Sequence, residues 1–431
     1  MSGFKIACLI LHPLLVLALA IHSSASAQPI PTLSNKAFSF KSPSITKSPS
    51  IKTFFIVAPS PLPIIPQQAA AGGADKQAPL SSATLTQWGI DTLQQIRTEF
   101  YLPKKHLYAD EIKPGEPAPD KPAVMWGCGV QLAALAAAAR VDAAWKPRLL
   151  DFAAAMDRYW TDQNLTIVGG YDVLPVPKPL DRYYDDNEWI VIAMAEGYDV
   201  TADAALKARA EKAMIFVMSG EDKKLGGGIY WHEQEKQSKN TCSNAPAIVA
   251  AMRLFQLTRR QEYLITARRL TLWTNAHLQD TDGLYWDNIK LNGVIDKTKW
   301  SYNTALMLRA NCLLYQETHE NAYLEEARRL AHAAEAQWVK PETGAMADDG
   351  KFAHLLCEAF LFLSDLESDA PAITHWRTIV RKALVFVHDQ VRDMNGHYGN
   401  RWEMPATEAH MKATLLDQAS VARAFLVDAR Y

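Results

Sequence analysis

The sequence predicts an all-α protein: a closed toroid of six helical hairpins, preceded by an export signal and a flexible linker. Two observations carry this. Helical patterns fill the chain from Ser81 to the C-terminus and repeat: Tyr263-Leu264, Ala267 and Arg268-Arg269-Leu270 reappear 60 residues on as Tyr323-Leu324, Ala327 and Arg328-Arg329-Leu330, with Thr258 and Thr318 before them. Charged amphipathic helices also alternate with charge-poor ones rich in Ala, Leu, Ile, Met and Cys. A helix with a charged stripe faces water, and one apolar nearly all round is covered on every side.

The elements follow in order. Within residues 1–27, Lys5 precedes the apolar run Ile6 to Ile21, and Ser24-Ala25-Ser26-Ala27 offers a small-residue cleavage site. The run is shorter than the roughly 20 apolar residues of a spanning helix. A secreted or periplasmic protein is expected, with no membrane association after cleavage. Residues 28–80 are rich in Pro, Ser, Lys and Ala, as in Lys41-Ser42-Pro43-Ser44 and its near-copy Lys47-Ser48-Pro49-Ser50. Such a stretch cannot bury enough apolar area to offset its ordering entropy. It reads as a linker to a helical domain over residues 81–431.

In that domain, outer helices are expected near 82–102, 143–160, 202–218, 260–278, 319–338 and 371–391. Inner helices are expected to begin near Trp126, Tyr184, Thr241, Ser301, Ala353 and Met411. Short turns such as Tyr198-Asp199-Val200-Thr201 and Gln316-Glu317-Thr318 should lead from inner to outer helices. The return loops are longer and hold most of the glycines and many aromatics: Gly169-Gly170-Tyr171, Gly226 to Trp231, Asp282 to Trp286, Gly396 to Trp402. Long loops on one face make that face the expected site. Cys128, Cys242, Cys312 and Cys357 lie far apart within apolar helical patterns and read as buried thiols.

Composition narrows the function. The 431 residues are 48% hydrophobic and 21% charged, an ordinary globular balance, and 45 basic against 47 acidic residues give a formal net charge of −2. Without a basic surplus there is no field to hold a polyanion, so nucleic acid is not an expected partner. No Gly-rich phosphate loop and no zinc-ligand spacing is present, so no cofactor or metal is expected.

Polar clusters stand at four inner-helix starts: Asp185-Asp186-Asn187-Glu188, Asn240 to Asn244, Tyr302-Asn303 and Thr407-Glu408. The sharpest is Asp185-Asp186, flanked by Tyr183, Tyr184 and Trp189. An Asp cap with acidic first-turn residues would account for one carboxylate. Two adjacent carboxylates at a helix start can lie about 5 Å apart, the separation that goes with a covalent glycosyl intermediate and retained configuration. Mutual repulsion would keep one protonated and one ionised. Asp287 can bond a sugar hydroxyl or cap its loop, and Trp126 can stack on a sugar or pack. Asp348-Asp349-Gly350 reads as a plain turn.

The run Tyr183 to Trp189, the Gly226 to Trp231 loop, Asn240 to Pro246, and Tyr302-Asn303 with Leu314-Tyr315 and Thr318 resemble glycoside hydrolase family 76. The resemblance covers the chain from about Ser81 to its end. It implies an (α/α)6 barrel and retaining endo-α-1,6-mannanase activity on α-mannan or mannose-containing oligosaccharides, with Asp185 the nucleophile and Asp186 the general acid/base. Trp126, Tyr184, Trp231, Asn244, Asp287, Tyr302 and Asn303 are the expected substrate contacts, and a monomer is expected. A cell-wall glycan transglycosylase would share the Asp pair, and a non-catalytic glycan-binding protein would keep the aromatics without needing it.

The linker reading generates a first test. Deleting residues 28–77 is expected to leave the melting temperature and turnover of the domain nearly unchanged. A large loss of either would show that the segment is part of the folded unit.

Overall fold

The computed structural model describes residues 80–162 and 168–431. The expected signal segment and all but the last residue of the expected linker lie outside them. The inner helices are α2 (Met125–Val141), α4 (Tyr184–Thr201), α6 (Thr241–Thr258), α8 (Ser301–Thr318), α10 (Gly350–Leu366) and α12 (Leu415–Asp428). The outer ones are α1 (Ser82–Glu99), α3 (Lys146–Ala155), α5 (Ala204–Ser219), α7 (Gln261–Leu278), α9 (Asn321–Trp338) and α11 (Ala370–Phe386). Each inner helix packs on the next, and α12 returns to α2, closing an (α/α)6 ring. Five hairpins pair an inner helix with the outer helix that follows it. The sixth joins the two ends of the domain, α1 on α12.

The sequence explains which helix goes where. On α9 only Leu324, Ala327, Leu330, Ala331, Ala334 and Trp338 are buried, a single stripe at three- and four-residue spacing. On α8 every residue from Ser301 to Leu314 is buried. The inner-to-outer turns are tighter than expected, because helix continues through Tyr198–Thr201 and Gln316–Thr318. The reversal falls on one left-handed residue, Ala202, Arg259 or His319. Its N–H donates back to Tyr198, Phe255 or Tyr315. The preceding Thr201, Thr258 or Thr318 hydroxyl accepts the N–H two residues on, at 3.2, 3.3 and 3.3 Å. Thr258 and Thr318 are the threonines of the repeat.

Two inner helices start away from their expected positions. Helix α10 begins at Gly350 rather than near Ala353, and Asp348-Asp349-Gly350 is not a plain turn. Asp348 accepts the N–H of Ser301 at 2.8 Å, so it caps α8 from the neighbouring repeat. Helix α12 begins at Leu415 rather than Met411, because Ala413–Thr414 pairs antiparallel with Glu111–Ile112. The Thr414 hydroxyl then caps the helix by accepting from the Asp417 N–H at 3.1 Å. Thr407-Glu408 therefore sits in the loop rather than on a helix start. A small antiparallel sheet, with Asn288–Lys290 between Ser238–Asn240 and Ile295–Asp296, joins the loops before α6 and α8.

A side chain in the first turn of an inner helix holds the loop that precedes it. Asn187 accepts the Tyr171 N–H at 2.8 Å and donates to its carbonyl at 3.0 Å. Asn244 does the same to Ile229, at 2.8 and 3.0 Å, and Gln418 to Tyr398, at 2.9 and 3.0 Å. Thr304 accepts the Tyr285 N–H at 3.3 Å. The held loop passes close to its outer helix, and Gly228 (φ +77°) approaches the Trp273 ring so nearly that a Cβ would lie 2.6 Å from it.

The opposite end of the barrel is closed by charge. Arg423 of α12 donates to Glu196 of α4 at 2.7 and 3.0 Å and to Glu358 of α10 at 2.8 and 2.9 Å. Arg309 of α8 reaches the same two carboxylates, at 3.0 and 3.1 Å. These groups border a cavity of about 250 Å³. The guanidinium charge of Arg423 and Arg309 outweighs burial and holds Glu196 well below the usual carboxylate range. Removing one partner of a buried pair strands the other charge, so Arg423→Met is expected to cost about 3–5 kcal/mol, read as a lower urea midpoint. A variant within about 0.5 kcal/mol of the parent would show that the ring does not brace the barrel.

Candidate active site

The inner helices run parallel, since their early residues meet at one end and Glu196, Arg309, Glu358 and Arg423 meet at the other. Their starts form a mouth. The second residue of each, or the third in α10, is Trp126, Asp185, Cys242, Tyr302, Phe352 or Leu416. Ring contacts link three of these. Phe352 stacks on Tyr302 at 4.3 Å and on Trp126 at 5.8 Å between ring centres. Beyond burial, the Asp185 carboxylate lies near enough that its charge raises both the Cys242 thiol and the Tyr302 hydroxyl. Asp185 and Tyr302 therefore share one end of the barrel, as the alternation of helices requires.

The adjacent carboxyl groups have different surroundings. Asp185 is half-buried. Its Oδ1 accepts the Asp186 N–H at 3.1 Å and its Oδ2 accepts the Trp231 indole N–H at 3.1 Å. Asp186 is 9% exposed, and among the described residues no side-chain or backbone donor reaches its carboxyl. Burial pushes Asp185 up to about 7, with its donors holding it back. Burial, then the charges of Asp185, Asp181 and Asp172, push Asp186 well above the usual carboxylate range. Glu188, one turn along and fully buried, has neither carboxyl oxygen partnered. Burial and the Asp charges keep it protonated too. Of three carboxyl groups within one turn, Asp185 is the one equipped to carry a negative charge.

The structure divides the expected substrate contacts. Trp231 is 40% exposed and stands over Asp185. Tyr302 and Trp126 line the mouth with Phe352. Asp287 lies beside Cys242 and Tyr302, its carboxylate accepting from Asn288 at 2.8 Å while its carbonyl accepts the Thr241 N–H that opens α6. Three others are not at the mouth surface. Tyr184 is 1% exposed, with its ring stacked on Phe216 at 4.9 Å, so it packs rather than contacts sugar. Asn244 is fully buried, its amide spent on Ile229 and the Asn240 carbonyl. Asn303 is likewise fully buried. The mouth adds Cys242 and Phe352, which are legible only once helix starts are aligned and second positions compared.

Raised carboxyl pKa values are also statements about stability. Asp186 keeps its proton to higher pH in the fold than at its unfolded value near 4. Its stability cost is absent below that value and grows as pH rises toward the folded one. Asp186→Asn is therefore expected to raise the melting temperature more at pH 8 than at pH 5. Thermal denaturation at both pH values checks this, and an equal or smaller gain at pH 8 would contradict it.

Comparison with known proteins places this geometry. The profile of glycosyl hydrolase family 76 matches residues 120–426. An α-mannanase structure of that family from Bacteroides thetaiotaomicron is 30% identical, with a TM-score of 0.75 over 80% of this chain and 96% of that one. An inactive variant of the α-1,6-mannanase of Salegentibacter sp. HEL1_6, with two consecutive Asp residues changed to Asn, is solved with α-1,6-mannotriose. It shares the fold at 21% identity and a TM-score of 0.68, over 80% of this chain and 99% of that one. A mannan endo-1,6-α-mannosidase of Candida glabrata is 30% identical over 120 residues, 25% of this chain and only 27% of that relative. With the match spanning most of the barrel, the chain belongs to glycosyl hydrolase family 76.

Proposed function

We propose that this protein hydrolyses α-1,6-mannosidic linkages in α-mannan by double displacement, with Asp185 as nucleophile and Asp186 as general acid/base. The observation that carries the assignment is the unequal provision of donors to two neighbouring carboxyl groups. Asp185 holds two hydrogen bonds at 3.1 Å that favour its charged form, and among the described residues Asp186 has no donor and feels the charges of three carboxylates. A nucleophile must be ionised and an acid protonated at the same pH. The helix N-terminus beneath both favours a single negative charge there.

In the first displacement Asp185 attacks the anomeric carbon as Asp186 gives its proton to the departing glycosidic oxygen. In the second, Asp186 takes a proton from water, which attacks the same carbon and releases Asp185. Trp231, Tyr302 and Trp126 offer ring faces to sugar, and Asp287 offers an acceptor to a hydroxyl. The named activities of the Bacteroides, Salegentibacter and Candida relatives support this substrate class.

The test separates the two carboxyl groups. Asp185→Asn is expected to lower turnover on α-1,6-mannan by roughly a thousand-fold or more while binding survives. Asp186→Ala should impair mannan cleavage far more than cleavage of an activated aryl α-mannoside, with azide restoring part of the turnover. Proton NMR of fresh digests should show α-mannose first. β-Mannose first would exclude the double displacement, and near-normal turnover in both variants would reduce the Asp pair to a helix cap. The acid limb of kcat/KM should follow Asp185, near pH 7, with activity rising as that group ionises and falling as Asp186 loses its proton.

A further inference from the structure

The closed end of the barrel carries more positive charge than its paired ring uses. Arg309, Arg423, Glu196 and Glu358 balance one another and stand on α8, α12, α4 and α10. The cavity they border is also lined by Arg140 of α2, Arg253 of α6 and Arg430, two residues past the end of α12. Arginines thus reach it from the two inner helices that the ring leaves out. Two further carboxylates line the same cavity, Asp199 and Asp365. Asp365 answers Arg377, which stands outside the cavity, at 3.3 Å. Asp199 is shared, since it accepts from Arg253 Nη2 and lies 3.7 Å from Arg140. Among the described residues Arg430 has no ion pair, only the Tyr431 ring at 5.8 Å. Three guanidinium groups are therefore left to one carboxylate.

Donors are in surplus as well as charge. Arg309 is 3% exposed, and its Nε, like the buried Nε of Arg253, has no hydrogen-bond partner among the described residues. A buried donor left unpaired costs free energy that an acceptor in the cavity would recover. Burial, then the charge of Arg430, push Arg140 below the ordinary guanidinium value, and Arg253 adds to the effect. The opening lies on the Arg430 side, because Arg430 is exposed and the Arg140 side chain is 35% exposed, while Arg309 is buried. At about 250 Å³ the space is many times what one water needs, roughly 10–15 Å³. Guanidinium forks match tetrahedral oxyanions, to which they donate in pairs. We propose that the closed-end cavity is a binding site for a small tetrahedral oxyanion of the phosphate class, held by Arg140, Arg253 and Arg430 with Arg309 beneath. Bound there, the anion joins α2 and α6 to the charged brace of the other four inner helices.

The test is calorimetric titration of the full chain with inorganic phosphate at constant ionic strength. One site with a Kd in the millimolar range or tighter is expected in the parent. Arg140→Gln and Arg430→Gln, which lie outside the paired ring, should each fold, as melting in sodium chloride will show, and should each weaken that Kd about ten-fold. Arg140→Lys should weaken it less, because the charge remains and only the fork is lost. Arg209→Gln, which removes an equal charge from outer helix α5, should leave it within about two-fold. Phosphate should also raise the parent's melting temperature by about 2 °C or more over sodium chloride of equal ionic strength, and the rise should vanish in the double variant Arg140→Gln, Arg430→Gln. No binding in the parent up to tens of millimolar, or binding as tight in the double variant, would overturn the proposal. So would an equal rise in sodium chloride, which marks an effect of ionic strength alone.

Discussion

The mouth of this barrel depends on a buried side chain gripping the backbone of an incoming loop. Asn187, Asn244 and Gln418 each accept one N–H and donate to the carbonyl of the same loop residue, and Thr304 supplies the accepting half. Each bond adds only about 0.5–1.5 kcal/mol net, but an unpaired buried amide would cost more, so the loop has one low-energy path. That path sets where the aromatics go. With Ile229 held, Tyr230 is buried and Trp231 stands out over Asp185. A buried contact away from the mouth surface thus aims a residue that does touch the Asp185 carboxylate.

Parallel inner helices make the two ends of the barrel electrostatically opposite. At the closed end, two arginines meet two glutamates, and Glu196 is held ionised. At the mouth, Asp185, Asp186 and Glu188 crowd one turn without a cationic partner among the described residues, and all three are pushed toward their neutral forms. The same residue types therefore do different work according to what stands opposite. Charge paired at the base braces four of the six inner helices. Charge left unpaired at the mouth costs stability and leaves one carboxylate and one acid side by side, the arrangement that glycosidic bond cleavage needs.

Much of the architecture was legible because helical periodicity and repetition are local properties of the chain. The alternation of charged and charge-poor helices, the 60-residue echo between Tyr263 and Tyr323, and the polar helix starts all appear without coordinates. Structure departs from sequence pattern where a residue's role depends on a distant partner. Asp348-Asp349-Gly350 has the composition of a turn, yet Asp348 caps a helix 47 residues away. The apolar pattern places the start of the last inner helix near Met411, and pairing of Ala413–Thr414 with Glu111–Ile112 moves it to Leu415.

By itself, then, the sequence determined the class of fold, the face that carries the loops, and the adjacent Asp pair, since each is written in the pattern of single helices and its repetition along the chain. Only tertiary structure decided which polar residues reach the mouth. Tyr184 and Asn244 sit in the same helix starts as Asp185 and Cys242, but helix geometry turns successive side chains about 100° apart. One residue therefore faces the lumen while its neighbour packs on an outer helix or grips a loop. Cys242 and Phe352 entered the site for the same reason: six helix starts had to converge before their second and third residues could touch.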